Sequence, residues 1–225
     1  MSHPRNNFAF VLIAIALIGG GWFFMRAYTG PLARPAYATV LPSPMVLPDF
    51  TLNDHNGSTF TRESLKGSWS LLFFGFTHCP DICPATMQSL AVAREKLAAQ
   101  GRAAATLPRI ILISVDPERD DAEVLKSYVS YYGKDIIGLT GDLSELQKLT
   151  KRLGIYFAKS PTDDGGYNVD HSAAVLVINP SAEFHALFSA PQSVEKLLHD
   201  LPLILVGPLE SAASHATAFP RSVVR

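Results

Sequence analysis

Cys79 and Cys83 are the only cysteines in the 225 residues, and they stand four apart in Thr77-His78-Cys79-Pro80-Asp81-Ile82-Cys83-Pro84. In a turn or a first helical turn this separation brings both sulfurs to one side. There they can close a disulfide or share one soft ion. Thiolate is the form that ligates metal, and a helix N-terminus, with unpaired N–H groups and a favourable dipole, stabilises thiolate over thiol. The blander alternative is a pair of buried small residues or a static disulfide. Two thiolates around Cu(I) leave space for a third ligand, and imidazole suits copper. Of the seven histidines, His3, His55, His185, His199 and His215 stand in no motif. His78 adjoins Cys79, but a side chain next in sequence usually points elsewhere. His171, in Val169-Asp170-His171-Ser172, is the stronger candidate.

The elements around these residues set their placement. Ser70–Phe76 (SLLFFGF) is an apolar run of strand length, as for a strand buried on both faces, and it ends at the cysteine motif. Beyond the motif Met87, Leu90, Ala93 and Leu97 recur at helical spacing, so the cysteines lie between a strand and a helix. Arg109–Val115 predicts a second buried strand, Ala122–Tyr132 a helix, and Leu143–Leu153 another helix, with Asp142 near its N-cap and Gly154 at its stop. Ala173–Ile178 and Glu183–Phe188 predict two strands, and Ser193–Leu201 a last helix. Asn56-Gly57 predicts the turn of an edge hairpin over residues 49–61. The order implies an α/β fold with a mixed sheet. In thioredoxin-like folds the loop ahead of the strand at 173–178 lies against the active-site cysteines, which is what singles out His171.

Residues 8–25 (FAFVLIAIALIGGGWFFM) form an uncharged stretch of 18 residues. As a helix it would reach about 27 Å, close to the thickness of a bilayer's hydrocarbon core. Trp22, Phe23 and Phe24 at its far end suit a membrane interface. The expected organisation is therefore a short tail (1–7), one transmembrane helix (8–25), a Pro-rich spacer (26–47), a thioredoxin-like domain (48–205) and a C-terminal tail (206–225). A cleaved signal peptide is the rival, with Ala36-Tyr37-Ala38 superficially like a processing site, but that tripeptide lies far beyond the apolar run. Arg5 before the span and Arg26 and Arg34 after it leave orientation undecided by charge. A very short leading tail with a large following domain is typical of a signal anchor, which places the domain outside the cytoplasm.

With 48% hydrophobic residues the chain can bury one substantial core. A net charge of −1 and 17% charged residues give no electrostatic footprint for a nucleic-acid backbone, so nucleic acid is a poor candidate partner.

Three separated motifs resemble the Sco/SenC family of copper proteins: Gly75-Phe76-Thr77-His78-Cys79-Pro80-Asp81-Ile82-Cys83-Pro84, Ser114-Val115-Asp116-Pro117-Glu118-Arg119-Asp120, and Asp170-His171-Ser172. The resemblance covers about residues 48–201 together with the N-terminal anchor. It implies a thioredoxin-like fold in which Cys79, Cys83 and His171 bind Cu(I) or Cu(II). It further implies delivery of copper to the binuclear copper A centre of cytochrome c oxidase subunit II, or reduction of that centre's cysteines before loading. Other copper donors or thiol reductants would be further partners, and an inner membrane the location, with the domain on its periplasmic side. Asp116 falls in the second motif at a strand's end, either beside the site or as a turn-forming Asp before Pro117. Asp81 is expected to face water.

The alternative of another class is a metal-free thiol-disulfide oxidoreductase using Cys79 and Cys83. The four-residue spacing departs from the Cys-x-x-Cys of ordinary thioredoxins, and His171-Ser172 stands where thioredoxins place a proline. A peroxiredoxin needs Thr three residues before its reactive cysteine, where this chain has Phe76 or Pro80.

Overall fold

The computed structural model describes residues 18–22, 34–163 and 165–205. Residues 18–22 are helical, and the remainder of the expected span at 8–25, like both expected tails, lies outside the described residues. Among the described residues no helix is long and apolar enough to cross a membrane. Of two compact units, Met1–Arg34 and Pro35–Arg225, the second carries the fold.

Its strands are β1 (Ala38–Val46), β2 (Thr51–Asp54), β3 (Thr59–Thr61), β4 (Ser70–Gly75), β5 (Arg109–Ser114), β6 (Ile137–Thr140), β7 (Phe157–Pro161), β8 (Tyr167–His171), β9 (Val175–Ile178) and β10 (Glu183–Phe188). Its helices are α1 (Ile82–Ala99), α2 (Ala122–Tyr132), α3 (Leu143–Leu153) and α4 (Val194–Ile204). Eight strands form one mixed sheet in the order β1-β10-β9-β4-β5-β6-β2-β3, while β7 and β8 form a two-stranded sheet of their own.

The platform of the site is β4, buried along its whole length. It runs parallel to β5 from Ser70 opposite Arg109 to Gly75 opposite Ser114, and antiparallel to β9 on its other edge. Leu71, Leu72, Phe73 and Phe74 are each at most 1% exposed, and burial of one such side chain contributes about 1.5–3 kcal/mol. The strand is therefore fixed by its neighbours on both edges and by the core on both faces. On α1 the apolar positions Met87, Leu90, Ala93 and Leu97 are all buried, as their spacing predicts, and the helix packs against α4 and α2. The Asp121 side chain accepts the Val124 N–H at the start of α2, and Gly154 takes the left-handed conformation that stops α3. The edge hairpin forms as expected between β2 and β3, with Gly57 at φ 82° in its turn.

One expectation fails at the N-terminal side. Residues 38–46, read as part of a Pro-rich spacer, are β1, which pairs antiparallel with β10 from Ala38 opposite Phe188 to Val46 opposite Glu183. The prolines hid it. Pro42 and Pro44 fall where the register shifts between Val40 and Met45, at the sheet's outer edge, where a missing N–H breaks no ladder bond. The segment leading into β1 is held by Asp200 of α4, whose carboxylate accepts the N–H groups of Ala36 (2.9 Å), Tyr37 (2.6 Å) and Ala38 (2.6 Å). Burial alone would raise the Asp200 pKa, but these amide donors and His199 hold it below its ordinary value.

Candidate metal centre

The cysteine motif begins where β4 ends. Cys79 is half-buried in the turn ahead of α1, and Cys83, in the helix's first turn, is fully buried. Close approach to the strand is possible because residue 75 is glycine: a Cβ there would stand 3.0 Å from Cys83 Sγ and 2.9 Å from the Phe73 ring. The Cys83 N–H points at Cys79 Sγ, 3.4 Å away, so the helical turn draws the two sulfurs to one side as their spacing predicts. Both thiols are free.

His171 enters from the other side, as the last residue of β8. Its Nε2 lies 3.3 Å from Cys83 Sγ. Its Nδ1 faces the Ser172 carbonyl at 3.2 Å. A carbonyl can only accept, so Nδ1 carries the proton and Nε2 keeps its lone pair for the sulfur side. The Phe73 and Phe76 rings stand edge-on to the imidazole, at 6.0 and 5.7 Å between centroids. Burial lowers the His171 pKa, with the Ser172 carbonyl partly opposing it, so the ring is neutral and fit to ligate near pH 7. One ligand atom from each of Cys79, Cys83 and His171 lies within 4.8 Å of the others, the one such three-residue grouping among the described residues.

The helix N-terminus does not give Cys83 the ready thiolate expected of it. Burial outweighs the hydrogen bond to the Phe76 backbone and pushes its thiol well above the ordinary range, and neighbouring Cys79 adds to the rise. A fully buried sulfur with one stabilising backbone contact, from Phe76, beside another sulfur and a neutral imidazole, is poorly placed to carry an unpaired negative charge. It is well placed to exchange its proton for a soft monovalent cation, whose positive charge offsets that of the sulfur it binds. The donor set of two sulfurs and one nitrogen thus fits Cu(I).

Around these three, carboxylates do the positioning. Asp116 is fully buried, ion-paired with Arg119, and accepts the Tyr167 hydroxyl at 2.8 Å. It is more than a turn-former before Pro117, and it reaches the site through intermediaries. Asp120, quoted in the second motif but given no role by sequence, is also fully buried. It accepts the Thr77 N–H (3.0 Å), the Thr77 hydroxyl (2.6 Å) and the Ser114 hydroxyl (2.6 Å), tying the residues just ahead of Cys79 to the end of β5. Its partner Thr77 is 43 residues away, so no local pattern announces the contact. His78 is exposed, with Nδ1 bonded to the Thr77 hydroxyl at 3.1 Å, and stands outside the three-residue grouping. Asp81 faces solvent, as expected. A cleft of about 280 Å³ opens over the site between residues 79–82 and 168–171.

The SCO1/SenC family model matches residues 40–205, nearly three quarters of the chain and all three motifs. The chain belongs to that family. A Stutzerimonas stutzeri protein named for copper binding is 39% identical over 174 residues, 77% of this chain and 84% of that one. The crystal structure of Arabidopsis thaliana ScoI with copper bound superposes with a TM-score of 0.64 at 33% identity, over 68% of this chain and 93% of that one. Yeast Sco1 with copper bound gives 0.67 at 28%, over 77% and 95%. The thioredoxin-like mixed α/β architecture of these Sco structures is the architecture of this domain.

Proposed function

We propose that this SCO1/SenC protein binds copper as Cu(I), and also as Cu(II), through Cys79, Cys83 and His171 and works as a metallochaperone for the copper A site of cytochrome c oxidase subunit II. The observation that carries the reading is the convergence of two free thiols and one neutral imidazole nitrogen within 4.8 Å of one another. Support comes from the copper bound in Arabidopsis thaliana ScoI and yeast Sco1. The oxidase as recipient follows from family resemblance, as does placement in the inner membrane with the domain on the periplasmic side. The anchor is assigned to residues 8–25 from their apolar run.

Copper titration of the full chain beside Cys79→Ala, Cys83→Ala and His171→Ala tests the ligand set. One equivalent of Cu(I), weakened in all three variants, is expected, and unchanged binding in His171→Ala refutes three-ligand coordination. Protease digestion of intact and opened spheroplasts tests the side of the membrane. A second reading, reduction of the oxidase cysteines by the Cys79/Cys83 pair, is favoured by one observation: both cysteines are free and near enough to pair after modest rotation. Turnover of an insulin disulfide by metal-free protein would support it. Full copper binding without such turnover would leave the metallochaperone alone.

A further inference from the structure

The strand that presents His171 is not part of the main sheet: among the described residues β7 and β8 pair with each other and with no other strand, Phe157 opposite His171 at one end and Pro161 opposite Tyr167 at the other. A two-stranded ribbon by itself is marginally stable, so what holds this one decides how firmly the imidazole is presented. Side chains alternate along a strand, which puts Tyr167, Val169 and His171 on one face of β8. All three are at least half-buried, whereas Asn168 and Asp170 are exposed. Val169 is 3% exposed and joins the core. At the far end the Tyr167 hydroxyl donates to buried Asp116. Arg119, ion-paired with Asp116, donates from Nη1 to the Tyr167 carbonyl at 3.0 Å and lies 3.9 Å over its ring. The same guanidinium lies 5.8 Å from the centroid of Phe76, whose ring stands against His171.

We propose that Asp116, Arg119 and Tyr167 form a latch that holds the β7–β8 ribbon closed and so sets how firmly His171 is presented to the two sulfurs. Resting on the copper reading above, its opening withdraws one ligand of three. The bond from Cu(I) to Nε2 breaks, a bond to a sulfur or nitrogen donor of an acceptor forms, and copper keeps its oxidation state while both cysteine sulfurs retain it until the acceptor is engaged. Asp116, Arg119 and Tyr167 are positioning residues, acting through the ribbon.

The test uses the full chain with Tyr167→Phe, which deletes one hydroxyl and keeps the ring, and Arg119→Lys, which keeps the charge and loses the two-pronged reach. Lys66→Met, altering a remote surface ion pair, is the comparison. Hydrogen exchange is read on metal-free protein, and Cu(I) loss to bathocuproine disulfonate on loaded protein. Both latch variants are expected to exchange residues 157–171 roughly tenfold faster, as for loss of one hydrogen bond to a charged group, with β4 and β5 unchanged, and to surrender copper roughly tenfold faster. Unchanged exchange in the ribbon overturns the latch, as does exchange that rises equally through β4 and β5. A faster ribbon with unchanged copper loss overturns its hold on His171. If the parent takes up no copper, the copper reading fails, and ribbon exchange in the metal-free protein still decides whether the latch exists.

Discussion

The two halves of the candidate centre are built to different standards of rigidity. The sulfur half stands at the end of β4, paired on both edges, and on the first turn of an 18-residue helix. The imidazole half stands at the end of a five-residue strand with one partner, fastened by a few polar contacts and one buried valine. Opening free energies in a protein range from nearly nothing in weakly packed segments up to the global stability in core strands, so the halves should loosen at very different rates. Under the proposed copper reading, two donors would stay fixed while the third could leave and return.

The contrast is broken most directly from the rigid side. Cys83→Ala should weaken Cu(I) binding by more than about 100-fold, beyond the 10- to 100-fold that loss of a mere supporting group costs, with competition against a chromogenic chelator as the measurement. His171→Ala should weaken binding measurably but by less than Cys83→Ala, because both sulfurs stay in place; a loss as large as that of Cys83→Ala would show that the halves are equal after all. Gly75→Ala should destabilise the domain by about 1–3 kcal/mol in urea unfolding, since the new methyl meets Cys83 Sγ and the Phe73 ring within about 3 Å. It should also disturb copper binding, whereas a similarly sized insertion on the ribbon should not unfold the domain.

The smallest effect concerns the lead-in to β1. Asp200 has a folded pKa below its unfolded value, so its contribution is fully present above the ordinary aspartate pKa near 4 and is lost as pH falls through the depressed folded value. The protection of the residue 36–38 amides, taken relative to their intrinsic exchange rate at each pH, should fall there in acid while that of β4 is kept. Asp200→Asn should show the same fall at neutral pH. Equal protection factors at pH 6 and pH 3 would remove Asp200 from the account.

What could be read in the sequence divides along the same line. The sulfur half was legible because its signals are local: an unbroken apolar run, two cysteines four apart, and buried positions at helical spacing. His171 could be placed only through the strand after it, and the ribbon that bears it was missed. Phe157–Pro161 carries a lysine, a serine and a proline, and Tyr167–His171 alternates over only five residues with a single aliphatic side chain, Val169, too short a pattern to announce a strand. The four-residue β6 was missed for its shortness, and β1 for its prolines. Asp120 was invisible as a positioning group because its meaning lies in contacts across 43 residues.

Pro42 and Pro44 have a consequence beyond concealing β1. An outermost strand ordinarily offers a row of open hydrogen-bonding groups on which a second chain can lay a strand. Here that side is broken by a four-residue stretch, 41–44, out of register and short of two donors, while the opposite border of the sheet is β3, three residues long. Neither border gives a long flat template, so copies of this domain crowded together should stay separate, resisting strand-by-strand self-association and amyloid-like stacking.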